Sequence, residues 1–531
     1  MYDLIVRNGT VIDGSGKPMF RADVGVKEEN ITAVGDLSGE TAERIIDADG
    51  LYVTPGFVDV NNHSDTYWEL FRNPGLPSML CQGVTTIVGG NSGASLAPLL
   101  RSEDIRSIQK WTDVDKITFN WLSMEEFLRE TEKKKLGVNF ATLVGHGTIR
   151  RSILRSPTKE VEPSDIAGMR KLLDQALKEG GIGLSSGLKY THARSAEEGE
   201  LVDLLKLVAE ADGVYATYVR DEGEDLVRAV EEAILVARQA EASLHISHLK
   251  AVGRQNWPLM EEALSMIKSA AQGGLDITFD VYPYTASGSV LYTFLPEWVT
   301  ESGRAAMLHR LRDYKVRQAV IRDMKAGGND YSQMIIFSST LNKMTVRNTI
   351  DDLARMQGRS PEETVLDVLL ASEGRAIVSL EVSSEKNIRK AIQNPFSIIS
   401  SNGVGYGKGH EAQSGRVHPR NFGTFPKVFA EYVRKEKILS WEEAVHKMTG
   451  KPAAKFHLDG RGIIGAERSA DIVVFDPEAI RDTATMDNPF QYPEGIRYVI
   501  VNGRVAVEDG AQNETRAGEV IRKKKRGFFS W

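Results

Sequence analysis

The chain has 531 residues, 41% of them hydrophobic and 26% charged, enough material for a large core and roughly two to four folding units. A net charge of -7 and a pI near 5.9 exclude a general attraction to nucleic acid. No apolar run is long enough to span a bilayer, and the amino terminus lacks the basic-then-apolar profile of a secretory signal. The single cysteine, Cys81, can form no internal disulfide; it reads as a small buried hydrophobe, and the expected location is cytoplasmic.

Residues 1–54 read as short strands separated by the turn-forming pairs Asn8-Gly9, Asp13-Gly14, Ser15-Gly16 and Asp49-Gly50. The same texture returns after residue 459, in Ala470 to Asp476 and Tyr498 to Val505, so the two ends are expected to pair as one β-sandwich domain, 1–54 plus 459–531. Between them, apolar runs at Thr85–Val88, Phe140–Val144, Gly183–Ser185, Val214–Thr217, Leu244–Ser247 and Ile277–Asp280 alternate with helical patterns at Pro163–Glu179 and Ser195–Ala211. Alternating strand and helix predicts parallel strands wrapped by helices, an α/β fold with a TIM-like (β/α)8 barrel over 55–458. The rhythm breaks at about 287–350, read as an inserted lobe over the barrel mouth. It resumes with helices at Pro361–Leu370 and Trp441–Met448. The basic and aromatic tail, Arg522 to Trp531, reads as a solvated terminus.

In such a barrel the polar residues that follow each strand face the catalytic mouth. The first strand ends in Asn61-Asn62-His63-Ser64-Asp65, where two imidazoles one residue apart commonly hold a metal, and here one of the two positions is Asn61. Later strand ends carry Gly90-Asn91-Ser92-Gly93, Gly145-His146-Gly147, Lys189-Tyr190, Tyr218 to Glu222, His248-Leu249-Lys250, Tyr282-Pro283-Tyr284, Asn402 and His418-Pro419-Arg420. His146 reads as a buried structural histidine, and Arg220-Asp221-Glu222 as an ion-pairing anchor of the mouth. Lys189, Tyr190 and His192 form a polar cluster that suits proton transfer or a solvated loop equally. Gly405 to Gly409 reads as a loop, not a phosphate cradle.

Taken in this order, Asn8-Gly9, Pro55-Gly56-Phe57-Val58-Asp59, Gln82 to Thr86, Tyr282-Pro283-Tyr284, His418-Pro419-Arg420, Ala470-Asp471 and Val501-Asn502-Gly503 resemble the amidohydrolase superfamily, and within it the D-aminoacylase (N-acyl-D-amino-acid deacylase) family. The resemblance covers nearly the whole chain. It implies a metal-bearing barrel, a sandwich built from both termini, and hydrolysis of the amide of an N-acylated D-amino acid. It also implies that Lys250, Tyr282 and Arg420 hold a substrate carboxylate, a sensible clamp because Arg offers a flat bidentate fork and Lys a mobile charge.

The resemblance breaks at the reacting centre. The family's His-x-His becomes Asn61-Asn62-His63, its metal-binding Cys becomes Ser92, a later His ligand becomes Tyr218, and the catalytic Asp becomes Asn402; His63 and His248 remain. A serine hydroxyl, a phenol and carboxamides are poor zinc donors at neutral pH, and an amide cannot take a proton from water. The expectation is therefore no cofactor and no tightly held zinc, with His63 and His248 as the ligands if any ion binds. Three readings follow. The first is an enzyme acting on the C–N bond of a small carboxylate-bearing N-acyl amino acid without the family's zinc, by hydrolysis, acyl transfer, cyclisation or elimination. His63, His248, Tyr218 and Asn402 are its catalytic candidates, and Lys250, Tyr282, Arg420, Tyr190, Ser92 and Asn61 its substrate-binding candidates. The second is a zinc-dependent deacylase with a weakened site. The third is a non-catalytic ligand-binding relative. The expected partner is a small carboxylate, with no nucleic acid and no membrane.

Overall fold

The computed structural model describes residues 1–108, 111–112, 114–156, 159–300, 304–327, 329–338, 348–410 and 417–523. The tail from Lys524 to Trp531 therefore lies outside the described residues. Among those described, no helix is long and apolar enough to cross a membrane.

Two sheets are wholly parallel. Strands Phe57–Asp59, Val84–Gly89 and Asn139–Thr142 form one; Val144–Gly145, Gly183–Gly187, Val214–Tyr218, Ser243–Ile246, Ile277–Val281 and Ser397–Ile399 form the other, each strand beside its predecessor. Val84–Gly89 is buried at every position, which is why it reads in sequence as an unbroken run and not as an alternation. The two sheets are tied at both edges. Ile182 N donates to Thr142 O at 3.0 Å, and at the other side His63 N donates to Gly403 O at 2.8 Å beside a parallel bridge between Asn62 and Gly403. The intervening helices start where side chains can satisfy their free N–H groups: Ser123 with Glu126 and Ser440 with Glu443 form reciprocal capping boxes, and Pro163 sits in the first turn of Pro163–Lys178. The helix expected from Ser195 begins at Glu198.

Strands from both ends of the chain, Tyr2–Val11 to Tyr52–Pro55 and Arg468–Ser469 to Ala511–Gln512, join in one ten-stranded hydrogen-bonded sheet, in which Tyr2–Val11 pairs with both Ala42–Asp47 and Tyr52–Pro55. The seam is antiparallel, Val473 opposite Thr54. Gly56 N bonds Asp471 O and Phe57 N bonds Gly83 O, so within two residues the chain passes from the terminal sheet into the first parallel strand. Phe57 is fully buried and stacks on Phe425 with centroids 5.6 Å apart, fixing the strand that carries His63.

A third sheet, antiparallel, is made of Ala286–Val290, Ile335–Ser338 and Ile377–Glu381, over its own hydrophobic cluster running from Leu291 to Val378. This lobe extends past the expected limit of about 350. The helix Pro361–Ala371 belongs to it, because Val365, Leu366 and Leu369 pack into that separate cluster.

Candidate active site

Residues just beyond the carboxyl ends of the parallel strands line a cavity of about 280 Å³, and the antiparallel lobe supplies its far wall through Ser287 to Val290, Phe294, Phe337, Ile377 and Leu380. His63, Ser92, Tyr190, Tyr218, His248, Lys250, Asn402 and Arg420 all line it. Two sequence candidates do not. Asn61 is buried, with Nδ2 3.3 Å from Asp280 Oδ2, a carboxylate that also faces His245 Nε2 at 2.9 Å and Ser400 Oγ. Tyr282 faces a smaller adjoining hollow beside His248 and Lys250; its ring lies 5.2 Å from the Arg420 guanidinium and its hydroxyl 3.1 Å from Ser287 Oγ.

The backbone holds several of these side chains under strain. Ser92, His248 and Asn402 have φ of 55°, 39° and 45°, left-handed conformations that cost of order 1–2 kcal/mol for a residue with a Cβ and cluster at functional sites. The turn that presents Ser92 depends on Gly90, whose φ is 70° and where a Cβ would lie 2.0 Å from Leu143 O.

One knot of charge dominates the mouth. Glu222 accepts from Lys250 Nζ, its Oε1 lies 3.1 Å from His248 Nδ1, and its Oε2 accepts from the Tyr218 hydroxyl at 3.3 Å. Burial alone would raise the Glu222 carboxyl, but Lys250, His248 and Lys189 hold it down at about 2. His248 Nδ1 is also 3.1 Å from Lys250 Nζ, so it gives an N–H to the carboxylate in one tautomer and takes one from the ammonium in the other. Burial, then the Glu222 charge, pushes Tyr218 well above an ordinary phenol, leaving it a proton donor and not an anion. Its ring stands edge-on to His248 at 4.5 Å and to Tyr190 at 5.6 Å.

His63 Nε2 lies 2.8 Å from Asn402 Oδ1, which makes it the donor and leaves a lone pair on Nδ1 with no partner among the described residues. Burial lowers this imidazole to about 3, with Arg420 and His248 adding to the effect and the Asn402 bond opposing it, so the ring is neutral at pH 7. Arg420 Nε and one terminal nitrogen are buried without partners among the described residues. His418 holds the backbone of Arg420: its Nε2 donates to Ala286 O at 3.1 Å, and its Nδ1 accepts from Arg420 N at 3.0 Å.

His146 and Arg220 take structural places, His146 buried against Glu200 at 2.7 Å and Arg220 paired with Glu232, whereas Lys189 lines the cavity and lies 3.6 Å from Asp221. Cys81 is buried and its thiol is raised to about 12. The side chain of His192 lies outside the described residues. Sequence reasoning missed Glu69, a buried carboxyl on the cavity wall, and Trp111, whose ring faces His63 at 5.9 Å. Glu69 sits between Trp68 and Leu70 with no motif around it, and Trp111 lies in a stretch without helical or strand period.

A family model described as amidohydrolase family matches residues 44–507. The D-aminoacylase of Alcaligenes xylosoxydans xylosoxydans is 32% identical over 520 residues, 98% of this chain and 97% of that protein. A solved D-aminoacylase described by its binuclear metal center superposes with a TM-score of 0.84 at 31% identity, covering 98% of this chain and 100% of that one. The N-acyl-D-glutamate deacylase of Bordetella bronchiseptica, solved with zinc and a phosphonate mimic of the tetrahedral intermediate, gives 0.84 at 28% identity over 98% and 99% of the two chains.

These neighbours overturn the expectation of no cofactor, since both solved relatives are described with metal. The side chains of this chain nevertheless fit such a centre poorly. Among the described residues no three His, Cys, Asp or Glu gather as a ligand set. Ser92, Tyr218 and Asn402 bring only neutral oxygen or amide donors to the same cavity.

Proposed function

The chain belongs to the amidohydrolase family, and from that premise we propose that it hydrolyses the amide C–N bond of a small N-acyl amino acid carrying a free carboxylate, of the D series named for its relatives. The observation that carries this reading is Arg420, which lines the cavity together with His63, His248 and Tyr218 and whose buried Nε and one terminal nitrogen have no hydrogen-bond partner among the described residues. Leaving guanidinium donors unpaired is costly, and a carboxylate is a group that pairs with them. Tyr282 supports the guanidinium from below, while Lys250 acts mainly by neutralising Glu222.

With the carboxylate docked there, the scissile amide lies towards His63, Asn402 and His248. Hydrolysis adds water to the carbonyl carbon, breaks C–N and delivers a proton to the departing nitrogen. The neutral His63 ring offers its free Nδ1 lone pair as a proton acceptor, and the Tyr218 phenol, held protonated, is a donor. The amide of Asn402 positions His63 and does not act as a base.

The same proposal includes the architecture: counting 139–145 as one position, the parallel strands close as an eight-membered (β/α)8 barrel over 55–458, with 1–54 and 459–531 as the second domain and the antiparallel lobe inserted over the mouth. The test is amine release from N-acetyl-D-amino acids by purified protein, with and without added zinc, and with the L enantiomers as controls. Release from D substrates that is lost in Arg420→Ala supports the reading. No release from any of them under either condition overturns it.

A further inference from the structure

The carboxyl of Glu69 lines the same cavity as Arg420 and belongs to a residue only 3% exposed. No hydrogen bond or ion pair engages it among the described residues, although nearly every other buried carboxylate around the site is bonded: Asp65 to Gly90 N, Asp59 to Ser401, Asp280 to His245, and Glu222 to Lys250. Arg72, one helical turn on, also borders the cavity but is exposed to solvent and forms no ion pair with it. Burial, only partly offset by Arg72, raises the Glu69 carboxyl to about 7, as expected of an acid awaiting a partner.

The surroundings narrow what that partner is. Tyr67, Trp111 and Tyr406 line the wall with Glu69; the Tyr67 and Trp111 rings are 6.4 Å apart, and the Tyr406 phenol feels both Tyr67 and Glu69. Aromatic faces together with a carboxylate form a site for a cation, whereas a second anion would meet a like charge.

Resting on the reading of the site as one for N-acyl amino acids, we propose that Glu69 is a specificity-determining residue that receives an ammonium group, so that the preferred substrate carries a basic side chain as well as its carboxylate. Arg420 takes the carboxylate, Glu69 takes the ammonium, and the aromatic wall shields the methylenes between. A side chain such as that of glutamate, named for one relative, is disfavoured.

The test uses the full chain, wild type, Glu69→Gln and Glu69→Leu, with Nα-acetyl-D-lysine, N-acetyl-D-norleucine and N-acetyl-D-glutamate as probes, read both by amine release and by calorimetric binding. A buried charge-assisted hydrogen bond predicts a preference of about tenfold or more for the lysine over the norleucine derivative, abolished in both variants. Equal affinity for the two in wild type, a preference that survives Glu69→Gln, or no binding of any probe overturns the inference. Binding with the predicted preference but without amine release leaves the role of Glu69 intact and refutes hydrolysis. Release from the norleucine derivative without a lysine preference does the reverse.

Discussion

Replacing Glu222 by Gln removes the carboxylate at the centre of the charge knot while keeping its shape. A carboxyl held at about 2 against an ordinary 4.5 contributes ~3 kcal/mol to folding at neutral pH. Viewed from the other side, the change strands the buried Lys250 ammonium, a loss of about 3–5 kcal/mol for a broken buried pair. These are two views of one interaction and do not add. For a cooperative unit of this length, ~1 °C is lost per kcal/mol, so the melting temperature falls by ~3–5 °C at pH 7. Because the folded-state value is depressed, the stabilisation is complete above the unfolded value of 4.5 and disappears as pH falls towards about 2. Calorimetric melts of wild type and variant from pH 7 down to pH 3 should therefore show a gap that is constant at first and then narrows below about pH 4.5. The double variant Glu222→Gln/Lys250→Met should recover part of the loss, since no charge is then stranded. A gap under ~1 °C at pH 7, or one that fails to narrow on acidification, refutes the account of Glu222 as the counter-ion of Lys250.

Arg420→Ala should weaken carboxylate binding by about tenfold to a hundredfold in titration calorimetry, while Arg420→Lys recovers only part because a point charge lacks the bidentate fork. Restoring acidic and soft donors with Ser92→Cys, Tyr218→His and Asn402→Asp together should tighten zinc binding by at least about tenfold in a chelator competition; unchanged affinity would show that these positions do not converge on an ion. Phe57→Ala should cost about 3–5 kcal/mol in denaturant unfolding, because the fully buried ring stacks on Phe425 and packs against Phe429. A loss under ~1 kcal/mol would mean that the first parallel strand is not held by this packing.

Much of the scaffold was legible in the residues alone. Strands such as Val84–Gly89 and Val214–Tyr218 are buried on both faces and so appear as short continuous apolar runs, and the helix starts at Pro163, Pro361 and Trp441 are marked by their own caps. The extent of the inserted lobe was not legible, since Pro361–Ala371 shows the same apolar spacing whichever core receives it, and the core it joins is the lobe's own.

By itself the sequence determined the family, the order of the parallel strands and which side chains stand at their ends, because each depends on residues close together in the chain. Only the tertiary structure decided what those side chains do to one another. His63 meets Asn402 across 339 positions, Asn61 turns to Asp280 across 219, and Lys250 is claimed by Glu222 across 28. The burial of Glu69, and of the Arg420 nitrogens that have no hydrogen-bond partner among the described residues, likewise depends on which surfaces fold over them. Protonation and pairing are set by burial and by neighbours brought in from distant strands, and no local spacing records either.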